Sequence, residues 1–544
     1  YRGVYTKALQ GTAAGGTNSL RKNNNLNWVW DNSINYKWTK GIHNLNVLGV
    51  YSLQKLQSEG FFGSSRDLPF NSLWYNIQGG AAPSVSSSYS QSTLMSYLGR
   101  VEYNLMDKYL ITVSGRYDGS SKLAEGNKWA LFPSAAIGWR LSEESFLKDV
   151  NWLSNLKLRL SYGQTGNDAV NPYGTTGRTS GAQYYSFGSD VIGTVPGNLR
   201  NPNLTWERST EFNLGLDFGI FQNRVSGTVE AYNKLTTDLI MNAAVPEHLG
   251  FGSITDNVGS SRNRGVELTL NTNNIRTTNF GWNTSFVLSY NKNEIVDLAY
   301  KEDLGTYSAQ LAGMQGDYAY RWFIGQPIQT NWNLQTLGIW QLGEEAEAAK
   351  YGQRPGQFRV RDFDGDGVID VIKDRILDGE RSPDWWGGFT NTFRYKNVDL
   401  VAQASWRTGA KERNQYFVSF ALENNNLNFN NLRKDYWTPE NPSNTMGQPS
   451  NMGPYRDVNS TSSSVSHVFH STDFLKINYL TLGYTFNKSL ASRLRMSGLR
   501  LYATVQNPFI FTSFSGFDPE QPTVSPNTSD FMTRNVLLGL DVSF

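Results

Sequence analysis

The chain has 544 residues, a net charge of +2 and no cysteine, so no disulfide can hold it and no strong basic footprint for nucleic acid is present. It contains no run of about 18 apolar residues, which excludes a transmembrane helix but not a membrane β-barrel, whose lipid-facing residues fall at every second position. Aromatic residues make up 13% of the chain, with 28 Tyr, 29 Phe and 16 Trp. That richness suits either the girdles of a membrane barrel or a sugar-binding surface. Absence of cysteine is compatible with an oxidising compartment that does without disulfides.

In chain order, Tyr1–Asn25 reads as loop, with no secretory leader before it. An exported reading therefore makes the chain a fragment or a processed product. Trp28, Trp30, Ile34, Tyr36 and Trp38 then alternate as a strand, and Gly41 opens a partner through Leu53. Gln54–Gln91, with Phe61-Phe62-Gly63 and Ser86-Ser87-Ser88, reads as a long loop. Tyr97, Gly99, Val101 and Tyr103 alternate with Leu98, Arg100 and Glu102. Met106-Asp107-Lys108 turns the chain back through Tyr109, Ile111 and Val113. Further strands fall at Trp129–Arg140 and around Leu156–Tyr162, with one helical turn within Ser142–Leu153. Others centre on Phe212–Phe218, Val225–Ala231, Val266–Leu270, Trp282–Tyr290, Trp385–Arg407 and Leu475–Phe486.

The chain closes on Leu499–Asn507 and Asn535–Phe544. In the last, Val536, Leu538, Leu540, Val542 and Phe544 share one face and Asn535, Gly539, Asp541 and Ser543 the other, with Leu537 the exception. About sixteen to eighteen strands result, joined by short turns at one end and long loops at the other. The long loops are Gln54–Gln91, Gly163–Thr205, Asn293–Pro383 and Arg407–Asp473. That asymmetry predicts an all-β fold, an antiparallel transmembrane β-barrel with long extracellular loops, rather than a sandwich. Basic residues inside strands, such as Arg100 and Arg159, suit a charged lumen.

One motif carries metal chemistry. Asp362-Phe363-Asp364-Gly365-Asp366-Gly367-Val368-Ile369-Asp370 has carboxylates at positions 1, 3, 5 and 9, Gly at 6 and the Val368 carbonyl at 7. Hard oxygen donors at that spacing wrap one divalent cation, and the glycine permits the sharp turn. Lys373 stands where a bidentate Glu is usual, and Asp374, one step later, can supply that ligand. The expected metal set is Asp362, Asp364, Asp366, Val368, Asp370 and Asp374, holding a structural cation, calcium first; the alternative is a solvated Asp/Gly turn. Glu344–Lys350 reads as a surface helix. Of the four histidines, His43, His248, His467 and His470, the last two form at most a weak metal pair. Trp385-Trp386 and Tyr184-Tyr185 suit a girdle or core more than a sugar platform. No catalytic constellation is present, and an enzyme is the least expected reading.

Several blocks resemble the SusC-like (SusC/RagA) TonB-dependent transporters of the Bacteroidetes outer membrane. They are Gly99-Arg100-Val101-Glu102-Tyr103 through Asp107-Lys108-Tyr109-Leu110, Asp118-Gly119-Ser120-Ser121, and Phe132-Pro133-Ser134. Next come Asn201-Pro202-Asn203-Leu204-Thr205-Trp206-Glu207, Gly215-Leu216-Asp217-Phe218, Asn257-Val258-Gly259, and Asn263-Arg264-Gly265-Val266-Glu267-Leu268. Leu480-Thr481-Leu482-Gly483-Tyr484, Gln506-Asn507-Pro508 and Gly516-Phe517-Asp518-Pro519-Glu520 follow in order, and the Asp362 loop with Asp374-Arg375 looks like the family's Asp/Gly-rich extracellular loop.

The resemblance implies that residues 1–544 are the C-terminal portion of a 22-stranded barrel, with 293–383 a long extracellular insertion carrying the calcium-like loop 362–374. It implies uptake of an oligomeric nutrient, glycan or peptide, under a SusD-like surface lipoprotein lid. Coupling to TonB–ExbB–ExbD would run through an N-terminal region not in this sequence, which also lacks the plug and first strands. The terminal Phe544 matches the aromatic end read by outer-membrane assembly machinery. The last strand, Asn535–Phe544, is then expected to pair on its second edge with a segment outside this sequence. Two other readings compete: a structural or docking barrel in a surface complex, and a secreted, calcium-clipped glycan-binding β-protein.

Overall fold

The computed structural model describes residues 2–5, 16–68, 75–179, 183–186, 190–298, 301–317, 320–417, 435–448, 465–523 and 532–544. Sixteen strands form one sheet whose order is the order of the chain. They are β1 (Arg2–Tyr5), β2 (Gly16–Lys40), β3 (His43–Leu68), β4 (Ala81–Leu105), β5 (Tyr109–Ser120), β6 (Trp129–Arg140), β7 (Leu153–Asn167) and β8 (Glu207–Ile220). The chain continues through β9 (Val225–Thr237), β10 (Ser260–Arg276), β11 (Phe280–Asp297), β12 (Trp385–Tyr395), β13 (Val398–Thr408), β14 (Phe474–Thr485), β15 (Gly498–Thr512) and β16 (Asn535–Ser543). Each pair whose register is described is antiparallel, and the count falls in the range expected from the alternation. Among the described residues β16 pairs only with β15 and β1 only with β2, so the last strand does not join the Trp28–Trp38 strand.

Two expected loops are strands. Residues 16–25 belong to β2, and β3 and β4 run on to Leu68 and back from Ala81, so 54–68 and 81–91 of the expected 54–91 loop are strand. Hydrophobic alternation marks a strand only where one face leaves water. Asn23–Asn25 pair with Ser58–Gly60, and these with Ser88–Ser90, with water on both faces and a side-chain bond from Ser58 Oγ to Asn25 Oδ1 at 2.7 Å. The helix is present as α1 (Glu345–Lys350), and the expected turn within 142–153 is a 3-10 turn at Leu141–Glu143.

The chain divides into two compact units, Tyr1–Ile137 with Ser161–Thr210 and Thr236–Val258, and Gly138–Leu160 with Glu211–Leu235 and Gly259–Phe544. In the first, the apolar face of β2 (Trp28, Trp30, Ile34, Tyr36, Trp38) is open, Ile34 being 75% exposed. On β5, Tyr109 and Tyr117 bracket Ile111 and Val113, all exposed. The two tyrosines stand eight residues apart, about 26 Å along a strand, which suits a tilted crossing of an apolar band about 25 Å tall. Cross-strand register sets Tyr51 beside Tyr97 and Tyr97 beside Tyr117. The rings form a ladder, with Trp30–Tyr51, Tyr51–Tyr97 and Tyr117–Trp129 centroids 6.0, 5.3 and 4.9 Å apart. That row of rings is an interface girdle at the long-loop end. At the opposite end Met106 and Asp107 turn β4 into β5 with φ of 57° and 56°, the left-handed geometry that follows the strand twist.

The second unit repeats the design. Trp282 and Tyr290 on β11 stack on Phe393 and Trp385 of β12 at 5.6 and 4.6 Å, with Phe286 and Leu288 between them. Val536 and Leu538 on β16, and Phe544 just after it, are 71, 79 and 91% exposed, so no second sheet covers that face among the described residues. The opposite face carries ion pairs. Arg159 grips Asp217 at 2.8 and 3.0 Å and also meets Glu230. Arg500 bridges Asp399 at 2.7 Å and Asp541 at 3.2 Å.

Most buried apolar residues lie outside the sheet. One cluster in the second unit joins Leu334, Ile339, Phe358, Val360, Trp437, Val465, Val468 and Phe469; another joins Leu304, Leu311, Phe323 and Trp332. In the first unit, Leu123, Ala124, Leu204 and Trp206 pack with Ala130 and Phe132 of β6. An open greasy wall with greasy cores in its connections is the reverse of a water-soluble β-protein, and it follows if the wall faces lipid.

Candidate metal centre

The Asp362 loop lies between the short strands Phe358–Val360 and Arg375–Glu380, within the connection from β11 to β12. Asp362 folds it first. Its two carboxylate oxygens accept from the N–H groups of Gly365 (2.7 Å) and Gly367 (2.9 Å). Both glycines sit at left-handed φ, 75° and 85°, where a Cβ would be strained. Asp374 closes the loop from the far side. Its side chain accepts from Phe363 N–H at 2.6 Å and Asp370 N–H at 2.7 Å, and the residue is fully buried.

The chain brings carboxylate oxygens of Asp362, Asp364 and Asp374 within 4.8 Å of one another. Asp366 instead accepts from Val368 N–H at 2.8 Å, with the Lys373 ammonium 3.9 Å away. Asp370 accepts from the N–H groups of Ile372 and Lys373 at 2.7 and 3.0 Å. Those two backbone donors, and then the Lys373 charge, lower the Asp370 pKa. Burial raises that of Asp374, and the charges of Asp362 and Asp364 add to the rise against the two backbone donors. Three hard oxygen donors repelling one another around a buried carboxyl can hold a divalent cation, which would relieve that repulsion.

The loop is tied to both apolar clusters. Ile369 and Val371 pack on the first and Ile372 on the second. Arg375 lies over the Trp332 ring at 5.2 Å, and Ser308 donates to the Lys373 carbonyl at 2.8 Å. Rigidity at the aspartates is therefore transmitted to the packing of the connection.

Other expected sites are placed as follows. His467 packs its ring on Phe358 at 4.6 Å, and burial, then the His470 charge, lowers its pKa to about 4. The His470 ring bonds the His467 carbonyl, Asn414 and Ser515, each at 3.1 Å, so the pair is woven into the packing. Trp385 belongs to the aromatic row with Tyr290. Tyr184 and Tyr185 lie on a short strand, Gln183–Ser186, and their side chains lie outside the described residues.

A second acidic pair, Glu380 and Asp384, escaped the sequence reading because its members, separated by three residues, match no ligand motif. Burial, then the Asp384 charge and hydrogen bond, pushes Glu380 up to about 7, against the pull of Lys292. A raised carboxyl stabilises the fold below its unfolded value of 4.5 and loses that contribution as pH rises through about 7. Glu380→Gln should therefore leave thermal stability nearly unchanged at pH 4 and raise it at pH 8. The gain is at most about 2 kcal/mol, since the group is partly solvated. Parallel melting curves at the two pH values check this.

Residues 1–386 match the family model described as TonB dependent receptor-like, beta-barrel. The chain belongs to that family. TonB-dependent receptor P3 of Formosa agariphila is 34% identical over 545 residues, covering 98% of this chain and 52% of the relative. TonB-dependent receptor SusC of Bacteroides thetaiotaomicron is 32% identical over 467 residues, covering 84% of this chain and 44% of the relative. The SusC-like resemblance read from the sequence blocks is thus borne out. The RagAB peptide transporter structure matches all of this chain and 58% of its own, with a TM-score of 0.81 at 24% identity, and shows the fold. The fold is a transmembrane β-barrel, and the chain is a multi-pass component of the outer membrane. Its family is one of receptors and transporters, not enzymes. The chain spans about half the length of the relatives it matches.

Proposed function

We propose that this chain is part of the barrel of an energy-coupled importer of oligomeric nutrients. The observation that carries this reading is the exposed apolar wall with aromatic rings at the long-loop end, Tyr51 with Tyr97 and Tyr290 with Trp385, and at the short-turn end, Trp282 with Phe393, in a chain of the TonB-dependent receptor family. The long-loop end faces outward, and residues 293–383 form an extracellular insertion. TonB, with ExbB and ExbD, couples through a part of the protein outside this sequence, and a SusD-like lipoprotein lids the outer end. The substrate is a glycan or a peptide; one similar structure is titled a peptide transporter and one relative is named SusC. Calcium occupies the Asp362 loop as a structural clip. Asp362, Asp364 and Asp374 hold it, joined on binding by Asp366, the Val368 carbonyl and Asp370.

Deleting the gene should abolish growth on one class of oligomer from a panel of glycans and peptides. The full-length protein should restore it, and a form unable to engage TonB should not. Unchanged growth on every oligomer, or rescue by the uncoupled form, would overturn the importer in favour of a docking barrel.

Phe544 follows the apolar face of the last strand, and its ring is proposed to take part in assembly of the barrel. Phe544→Ala should lower the amount of assembled, heat-modifiable protein in outer-membrane fractions several-fold without changing synthesis. Undiminished assembly would remove that role.

A further inference from the structure

The wall continues beyond its girdle as a blade of three strands. From Tyr97 back to Ala81, β4 runs sixteen residues past the aromatic row, about 50 Å of strand. Among the described residues it is paired on one side only from Val85 to Gln91. β3 covers Ala81 to Leu105, whereas β5 reaches no further than Leu94, opposite Ser120. Thr93 shows which residues face the open side, because its carbonyl accepts from Ser121 N–H at 2.9 Å and its own N–H donates to Ser121 Oγ at 2.8 Å. Backbone direction alternates along a strand, and the β3–β4 register has no shift between Ser84 and Gln91. Val85, Ser87, Tyr89 and Gln91 therefore aim their N–H and C=O groups at the open side. Pro83, which has no N–H, ends the row.

Between Val85 and Gln91 the edge lacks the devices that usually protect one. No charged residue occurs from Ala81 to Gly99, and Ala81–Tyr89 are all exposed. The side chains on one face, Ser84, Ser86, Ser88, Ser90 and Ser92, are small enough for a strand to approach, and the other face offers Val85 and Tyr89. Natural edges of this length carry lysines, bulges or a cover.

We propose that Val85–Gln91 is a docking edge that accepts a preformed, uncharged edge strand of a partner protein on the outer side of the membrane, extending the sheet by β-augmentation. A second copy of this chain does not fit. Two copies in one membrane share their direction through it, so their β4 strands run in the same sense and lean oppositely about the two-fold axis, and no ladder forms. A free peptide does not fit either. Ordering each of its residues costs about as much as one backbone bond returns, whereas a strand already fixed in a folded partner avoids that cost. The outward assignment rests on the importer reading, but the pairing does not.

Amide hydrogen exchange at single-residue resolution tests it, on the full-length protein in native outer-membrane vesicles and after purification as a single species in detergent. The amides of Ser87, Tyr89 and Gln91 should exchange at least about ten-fold more slowly in the vesicles, while Ser86, Ser88 and Ser90, which face β3, stay equally protected in both. Ser87→Pro removes one open-side N–H and leaves the β3 ladder intact, so it should abolish the difference; Ser87→Ala should keep it. Residues 1–544 contain no cysteine, so once any cysteine elsewhere in the full-length protein is replaced by serine, Gln91→Cys gives a clean crosslinking site. Its adduct should map to a strand of another protein and vanish with Ser87→Pro. Equal, fast exchange in both preparations would show a bare edge. Protection persisting in the purified protein would show its own chain covering it, and a crosslinked pair of identical chains would show self-association; each result overturns the proposal.

Discussion

Val113→Arg is expected to destabilise the folded barrel by about 2–4 kcal/mol, the cost of a cation at the middle of a lipid-facing strand. Val113 is exposed midway between Tyr109 and Tyr117, so no protein neighbour can shelter the guanidinium. Ser114→Arg, one residue on, points to the other face. It gives up only the hydroxyl contact with Ser134 at 2.6 Å and should cost under about 1 kcal/mol. Urea titration of the full-length protein refolded into lipid vesicles, followed by tryptophan fluorescence, measures both. Equal costs at the two positions would mean that the face bearing Val113 does not meet lipid.

That alternation is also why most of the wall was legible in the sequence. Where a strand crosses the apolar band, the bilayer forces every second residue to be apolar, as in Phe212–Phe218 and Trp282–Tyr290, and the period shows. Above the band nothing enforces it. Asn23–Asn25 and Ser86–Ser88 look like loop because their side chains meet water on both faces, although the backbone ladder through Gly60 is unbroken. The metal motif was legible from spacing alone, but its arrangement was not. That Asp374 is buried and joined to Asp362 and Asp364, while Asp366 and Asp370 serve backbone N–H groups, follows from how Ile369, Val371 and Ile372 pack. Glu380 and Asp384 meet because Glu380 bridges to Ala410 while the Asp384 N–H bonds Thr408, contacts between distant segments that no local pattern announces.

The second large effect concerns Asp374. Asp374→Ala should lower the stability of the β11–β12 connection by about 2–6 kcal/mol, because Phe363 and Asp370 each lose a buried acceptor worth about 1–3 kcal/mol. Limited proteolysis should then cut within 362–374. Removing calcium from the natural protein with a chelator near neutral pH should expose the same segment. The pH dependence separates the two states. Without a cation, the raised Asp374 carboxyl stabilises the fold below its ordinary value of 3.8, and that contribution is lost as pH rises through the raised value. With a cation bound, the ionised form is held and the dependence reverses, so acid releases the ion. Chelator sensitivity should therefore be largest at neutral pH and vanish in acid. A loop indifferent to chelator at every pH would make the aspartates a plain turn.

The placement of the apolar cores has a consequence for how such a protein can change. The wall answers to lipid, and its residues are constrained by depth. The β11–β12 connection with Leu334 and Phe358, and the β13–β14 connection with Trp437 and Phe469, answer to water and keep their shape by packing against each other. One chain thus obeys two solvents with opposite rules, in alternating stretches. Substitutions in the connections need not disturb the wall, and the wall can follow a thicker or thinner bilayer without rewriting the connections.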